Sequence, residues 1–508
     1  MRRVSLFIGG LVLALIATLA FSGPAPAAPS TRSADPSATP SPTVPVTEGD
    51  EGDESGGESG EPVPSVDADD ESTGGTAPER TETPSSETGV KSDSDASKAT
   101  AKAKKRRKRN WNPRASRIIS DPTVGHRQRV VLNHVVKAIR NTRSRQIIRI
   151  AVWNFDDRAT KDALIRAIQR GVRVQLIVSY GANTDDFQAV KRAIKRRKHK
   201  WAGKRSLARR CVGSCRQKGK GGIMHAKFLS FSKVGGRAKH VTMFGSINLT
   251  YAAGVNQWND LVTVRKPLVY RHYVRMFNRF RRDRVDRPLY RQFSTRGNDI
   301  RSSFFPANEI KYNPILKEFR KVKCRGAAKG YGNGNRRTKI RIAIAGWFDV
   351  YGARIAQQVR RLWDRGCDVK IVNTLTGRGI NKALRNPRGR GPVPTREVTT
   401  DPNGDGIPDK YLHLKFFTID GVYRNNPRSR VLFTGSGNWT ERARRSDEVL
   451  VRMKWKKWAR YYGNYVDRLY ASPWAHGRQI TPATMRAAEP AGRSVYGQSS
   501  SGLPDWDW

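Results

Sequence analysis

Two histidines carry the chemistry that this sequence can do. His225 is followed by Lys227 and then by Gly245, Ser246, Ile247 and Asn248; His413 is followed by Lys415 and then by Gly435, Ser436, Gly437 and Asn438. In the runs MHAKFLSF and LHLKFFTID the alternation of a strand puts each histidine and its lysine on one face. A neutral imidazole is a competent nucleophile near neutral pH, and a carboxylate on its far nitrogen fixes its tautomer. Asp260 and Glu448 each stand 35 residues beyond a motif histidine and open the apolar runs DLVTV and EVLV, which makes both candidates for that role. The lysines, with Ser246, Asn248, Ser436 and Asn438, would surround a phosphate with donors and stabilise charge on its oxygens during displacement. With both histidines on one phosphorus, one attacks while the other, protonated, donates to the leaving oxygen. Water or another alcohol then releases the phosphoryl group from the imidazole, a route for which no metal or other cofactor is required. Either motif alone is commonplace. Both in order, twice, with an acid at a fixed offset, indicate a phosphodiester site.

The elements that must hold these residues repeat as well. Gln146 to Val152 (QIIRIAV) reads as a buried strand followed by Trp153, Asn154, Phe155 and Asp156; Lys339 to Ala345 (KIRIAIA) is followed by Gly346, Trp347, Phe348 and Asp349. Helical patterns over Lys161 to Arg170 and Ala353 to Arg365 end at Gly171 and Gly366, as helix C-terminal caps do. Second strands follow at Val172 to Val178 and Asp368 to Asn373. The order strand, helix, strand, repeated, predicts an α/β protein whose halves arose by duplication and pack about a pseudo-twofold axis.

On these residues the chain resembles the phospholipase D superfamily, whose motif is HxK, four residues, Asp, then GSxN. The resemblance spans about residues 111 to 485. It implies a duplicated α/β/α sandwich with one active site shared by two pseudo-twofold-related halves, a phosphohistidine intermediate, and hydrolysis or transfer at phosphodiesters. Carried over by position, the motif residues are His225, Lys227, Ser246 and Asn248 in the first half, and His413, Lys415, Asp420, Ser436 and Asn438 in the second. Ser232 stands where the first motif should have its aspartate, a departure expected to affect local structure more than chemistry. By resemblance to two-motif members, His225 is favoured as nucleophile.

Composition sets the surroundings of the site. The chain has 508 residues, and residues 101 to 508 hold 90 Lys and Arg against 27 Asp and Glu, so the expected partner is negatively charged. Residues 1 to 28, with Arg2 and Arg3 before the apolar run Val4 to Phe21 and small residues near Ala28, have the layout of a secretory signal; an uncleaved anchor is the rival reading. Residues 29 to 110 read as a disordered acidic arm, with 17 carboxylates against four bases between 31 and 100, ending in a basic block. The two halves are expected at 111 to 305 and 306 to 485, with a tail from 486 to 508. A secreted enzyme of this kind, expected to be a monomer with no obligate protein partner, would meet phospholipid, an anionic membrane or cell-wall surface, or nucleic acid. Because secreted two-motif chains resemble the bacterial phospholipases of the family, phospholipid headgroup cleavage is favoured over an extracellular nuclease. A polyanion-binding surface protein with a vestigial site is the reading from another class. The basic stretch that includes Lys195, Arg196, Arg197, Lys198 and Lys200 could track a polyanion toward the site.

Four cysteines fit an oxidising compartment, with Cys211 and Cys215 close enough for a local bridge and Cys324 and Cys367 left as the other pair; a zinc site is the weaker alternative, since the second pair lacks short ligand spacing. The run DPNGDGIPD places Asp401, Asn403, Asp405, Ile407 and Asp409 as in a loop that wraps a structural Ca2+, and an Asp/Asn/Gly-rich turn uses the same residues for backbone reasons.

Overall fold

The computed structural model describes residues 111–197, 201, 206–308, 313–402 and 408–477. The signal segment, the arm with its basic block, the tail, Lys198, Lys200, Asn403, Asp405 and Ile407 lie outside the described residues, and with them the centre of the calcium reading. No helix among the described residues is long and apolar enough to cross a membrane.

The first half is built on a seven-stranded sheet with Ile147–Ala151 near its middle, parallel to Arg173–Ser179 and antiparallel to Phe228–Val234. Beyond Phe228–Val234 the order runs Ala238–Gly245, Asp260–Val264 and Ser116–Ile119, all antiparallel. The second half repeats this arrangement. Lys339–Trp347 lies parallel to Asp368–Thr376 and antiparallel to Lys415–Tyr423, after which come Asn426–Gly435, Val449–Met453 and Ile300–Phe304. Ile300–Phe304 is thus the counterpart of Ser116–Ile119, and it is followed outward by Arg291–Ser294. This corrects the expected boundary at 306: the strands Arg291–Ser294 and Ile300–Phe304, both before it, already pair into the sheet of the second half.

The central strands form where alternating and continuous apolar runs let both faces be covered. On the outer face of the first sheet, Val130–Arg140, Arg158–Gln169 and Asp185–Lys195 bury their apolar stripes with Ile148, Ile150, Val174 and Leu176. Asp349–Asp364 and Arg378–Leu384 do the same for Ile340, Ile342, Val369 and Ile371. A third cluster lies between the sheets. It joins Trp258, Val262, Tyr273 and Phe280 of the first half to Leu414, Phe416, Val451 and Tyr462 of the second, so the halves share one apolar core. The helices close where expected, with Gly171 at φ 85° and Gly366 at φ 86° taking the left-handed conformation that other residues resist.

An arginine recurs inside each central strand and marks where the closing helix docks. Arg149 donates to Tyr270 Oη of helix Pro267–Phe280, and the buried Arg341 is bonded to Asp467 of helix Lys456–Tyr470 at 2.7 Å and to Asp368 at 2.8 Å. The cysteines pair as Cys211–Cys215 and Cys324–Cys367, which uses all four and sets aside the zinc alternative.

Candidate active site

Both histidines lie just outside regular strand. His225 precedes Phe228–Val234, and His413 falls between Lys410–Leu412 and Lys415–Tyr423. At each point the backbone turns from its own sheet to the other half. Met224 forms a parallel bridge with Asp447, and His225 N–H donates to Asp447 O at 3.1 Å. In the other half Leu412 pairs in parallel with Trp258, and His413 N–H donates to Trp258 O at 3.1 Å. The two motifs therefore interlock, each backed by the strand that follows the GSxN segment of the opposite half.

This interlock sets the partners of the rings. His225 Nδ1 is 2.5 Å from Glu448 Oε1, and His413 Nδ1 is 2.7 Å from Asn259 Oδ1. Both contacts cross between halves. The serines hold the same two acceptors: Ser436 Oγ donates to Glu448 Oε2 at 2.5 Å and Ser246 Oγ to Asn259 Oδ1 at 2.8 Å. Each serine oxygen in turn accepts a backbone N–H, from Val449 at 3.0 Å and from Asp260 at 2.9 Å. By every one of these contacts Asn259 is the counterpart of Glu448, and Asp260 the counterpart of Val449.

The role expected for Asp260 is therefore corrected. Its Oδ1 accepts from Ser246 N–H at 2.9 Å, and its Oδ2 accepts from Thr434 Oγ1 at 2.6 Å and Tyr462 Oη at 2.9 Å. It joins the first half to two elements of the second, and burial pushes its carboxyl above the ordinary range despite those bonds. Asp260→Ala should orphan two buried hydroxyl donors, Thr434 and Tyr462, since Ser246 N–H also reaches Asp260 O at 3.2 Å, and lower unfolding stability by on the order of 3 kcal/mol, read from the denaturant midpoint. A loss below about 1 kcal/mol would show that the carboxylate does not bridge the halves.

The glycine that opens each GSxN segment is required by close approach. A Cβ on Gly245 would sit 2.2 Å from Asp260 O, and one on Gly435 would sit 1.9 Å from Val449 O. Lys227 Nζ lies 2.7 Å from His225 Nε2 and 3.2 Å from His225 O, and Lys415 Nζ lies 3.0 Å from His413 O. The Lys227 ammonium is thus aimed at the His225 ring, and that of Lys415 is held on the backbone of His413. Trp153, from the WNFD run, stands edge-on to His225 at 5.9 Å and beneath Lys227 at 5.8 Å. Asn438 Oδ1 accepts Gly346 N–H at 3.2 Å, tying the second GSxN segment to the GWFD run. His225, Lys227, Ser246, Asn248, Asn259, His413, Lys415, Ser436, Asn438 and Glu448 are all buried, so their electrostatic effects on one another are weakly screened.

Two other expectations change. Asp420 accepts from Gly332 N–H at 3.0 Å and Arg430 Nε at 2.7 Å, five residues along its strand from Lys415 and so about 16 Å from it. It fixes local structure rather than joining the histidines. Ser232, at the same place in the first half, also bonds locally, to Ile147 N–H and Gln146. Of the five residues named from the basic stretch, Lys195, Arg196 and Arg197 are described, and they stand at the end of helix Asp185–Lys195 remote from the site. The opposite end begins at Thr184, whose hydroxyl donates to Phe155 O, and 11 helical residues carry the patch about 16 Å away.

Asn259 was not singled out in the sequence, and only the cross-half register exposes it. Trp153, Thr434, Tyr462 and Asp447 likewise take their places only in three dimensions.

The family model described as cardiolipin synthase, PLD-like domain, matches residues 135–281 and 335–470. Among solved structures, the chain is similar to a polyphosphate kinase from Porphyromonas gingivalis at 14% identity and TM-score 0.46, covering 74% of this chain and 54% of that one. It thus spans about half the length of that kinase. It is also similar to a phosphatidylserine synthase from Haemophilus influenzae, at 12% identity and TM-score 0.44, covering 74% of this chain and 91% of the other. A third similarity is to the phospholipase D family member Nuc from Salmonella typhimurium, at 19% identity and TM-score 0.23, covering 34% of this chain and 96% of that one. No curated protein matches the chain.

Proposed function

Since the chain belongs to the phospholipase D superfamily, whose members act on phosphodiesters, we propose that it is a secreted phospholipase D-type enzyme that cleaves phospholipid headgroups through a phosphohistidine on His225. The observation that carries the assignment of roles is the crossed and unequal pairing of the two rings, Glu448 on His225 and Asn259 on His413.

Glu448 accepts the Nδ1 proton of His225, leaving the Nε2 lone pair to attack phosphorus, and its negative charge stabilises the positive charge that accumulates on the ring as the P–N bond forms. Asn259 orients His413 in the same way but supplies no formal charge, so an imidazolium at His413 releases its Nε2 proton more readily than one held by a carboxylate. His413 therefore protonates the headgroup oxygen as the P–O bond breaks. In the second step the now neutral His413 takes a proton from water, the water oxygen attacks phosphorus, and the P–N bond breaks to regenerate His225. Lys227 and Lys415 hold the non-bridging oxygens throughout.

The lipid reading is supported by what surrounds the site. Tyr180, Val212, Tyr251 and Val350 follow within four residues of the site-side ends of their strands, and all four are exposed. Arg210 and Arg129 lie against the Tyr180 and Tyr251 rings, an amphipathic pairing suited to the headgroup level of a membrane.

Incubated with EDTA, the purified protein should release headgroup from phospholipid vesicles and leave DNA and RNA intact. Cleavage of nucleic acid with no headgroup release would favour the nuclease reading. Polyanion binding without turnover of either would favour a vestigial site.

A further inference from the structure

The residue before Glu448 is a buried acid that the reaction above does not use. Asp447 Oδ2 accepts the N–H of Cys215 at 2.5 Å, Asp447 N–H donates to Ile223 O at 2.9 Å, and Asp447 O receives the N–H of His225. Beside it, Ile223 N–H donates to Ser446 Oγ at 3.0 Å, and Gly222 packs so closely that a Cβ there would sit 2.0 Å from Arg445 O. One residue thus touches the nucleophile's backbone, is bonded covalently to Glu448, and is grasped by the turn that the Cys211–Cys215 disulfide closes.

The turn is itself anchored. Ser214 Oγ accepts from Arg216 and Gln217 N–H, and the fully buried Arg216 guanidinium donates to Phe305 O, Pro288 O, Leu289 O and Asp286. Lys218 pairs with Asp283 and also donates to Val212 O and Ser214 O. We propose that Asp447 is a positioning residue for the His225–Glu448 pair, and that the disulfide-closed turn holds it in place. The proposal rests on the reading of His225 as the nucleophile backed by Glu448.

The carboxyl of Asp447 is pushed up to about 7 by burial, against the opposing pull of Arg216, Ser214, the Cys215 N–H and Lys218; His225 and Glu448 flank it, and Asp286 and Asp283 face the same two cations. An acid raised in the folded state stabilises the fold below its unfolded value. That contribution is lost as pH rises through about 7. The chain therefore carries a carboxylate that weakens it at neutral pH, which is expected where a residue serves the site rather than the fold.

The test compares Asp447→Ala, Asp447→Asn and the double variant Cys211→Ser, Cys215→Ser in the full chain. The first readout is the downfield Nδ1 proton resonance of His225, which needs no turnover. It should shift or vanish in Asp447→Ala and in the cysteine variant, and persist in Asp447→Asn, which keeps an acceptor for Cys215. On a cleaved substrate, Asp447→Ala should lower kcat about 10- to 100-fold with KM nearly unchanged. Asp447→Asn should restore kcat and unfold at higher temperature than the natural chain at pH 8, by a margin that shrinks as the pH falls toward the ordinary carboxyl value of about 4. Combined with the cysteine variant, Asp447→Ala should add little further loss. An unshifted His225 resonance in Asp447→Ala, or a kcat per folded molecule equal to the natural chain's, would overturn the proposal. Absence of turnover in the natural chain would instead remove the assigned reaction, with the resonance still deciding the contact.

Discussion

His413→Asn should give a burst without turnover. On a p-nitrophenyl phosphodiester, whose leaving group needs no proton, one equivalent of nitrophenol should appear per enzyme and release should then stall. The second step needs His413 to take a proton from water, and general acid–base groups of this kind are worth about 10²–10⁴-fold. The trapped species should carry phosphorus on His225, detectable by its acid lability and base stability. With a lipid substrate, whose alkoxide must be protonated to leave, the first step should be slowed as well. His225→Asn should show no burst with either substrate. A burst in His225→Asn and none in His413→Asn would exchange the two roles.

The second large effect is at Glu448. Glu448→Gln is nearly isosteric and leaves Ser436 an acceptor, yet it removes the charge that stabilises a phosphorylated ring and offers an N–H that can turn the imidazole to its other tautomer. The expected loss in kcat is about 10³–10⁴-fold, measured at saturating substrate with KM little altered. Asn259→Asp, the reverse exchange on the other ring, should cost far less, about tenfold, by holding the proton on His413 more firmly. Equal losses from the two would contradict the unequal roles inferred from the 2.5 Å carboxylate contact and the 2.7 Å amide contact.

Much of this architecture could be read from the chain before any coordinates. Continuous apolar runs bounded by Gly171 and Gly366 located the strands and helices of both repeats, since those signals are local. Glu448 was legible as a ring partner from its spacing, but which ring it serves, and the partner of the other ring, were not. Asn259 is 34 residues beyond His225 and Glu448 is 35 beyond His413, so a search at equal offset selects Asp260, one residue too far and on the wrong face of its strand. The functional contact also crosses between halves, and no spacing within one repeat reports it. The early start of the second sheet was hidden for a similar reason: Arg291–Ser294 and Ile300–Phe304 are short strands defined by their partners rather than by a strong pattern of their own. The basic stretch was legible as charge, but charge carries no information on which end of a helix faces the site.

The central claim is that His225 and His413 act on one phosphorus. It is tested most directly by a crystal structure with vanadate, which adopts the five-coordinate geometry of a phosphoryl group in transfer. The account predicts a single vanadium with His225 Nε2 as one axial ligand and His413 Nε2 in hydrogen-bond reach of the opposite axial oxygen. Vanadate bound at one ring with the other turned into a separate cavity would contradict it.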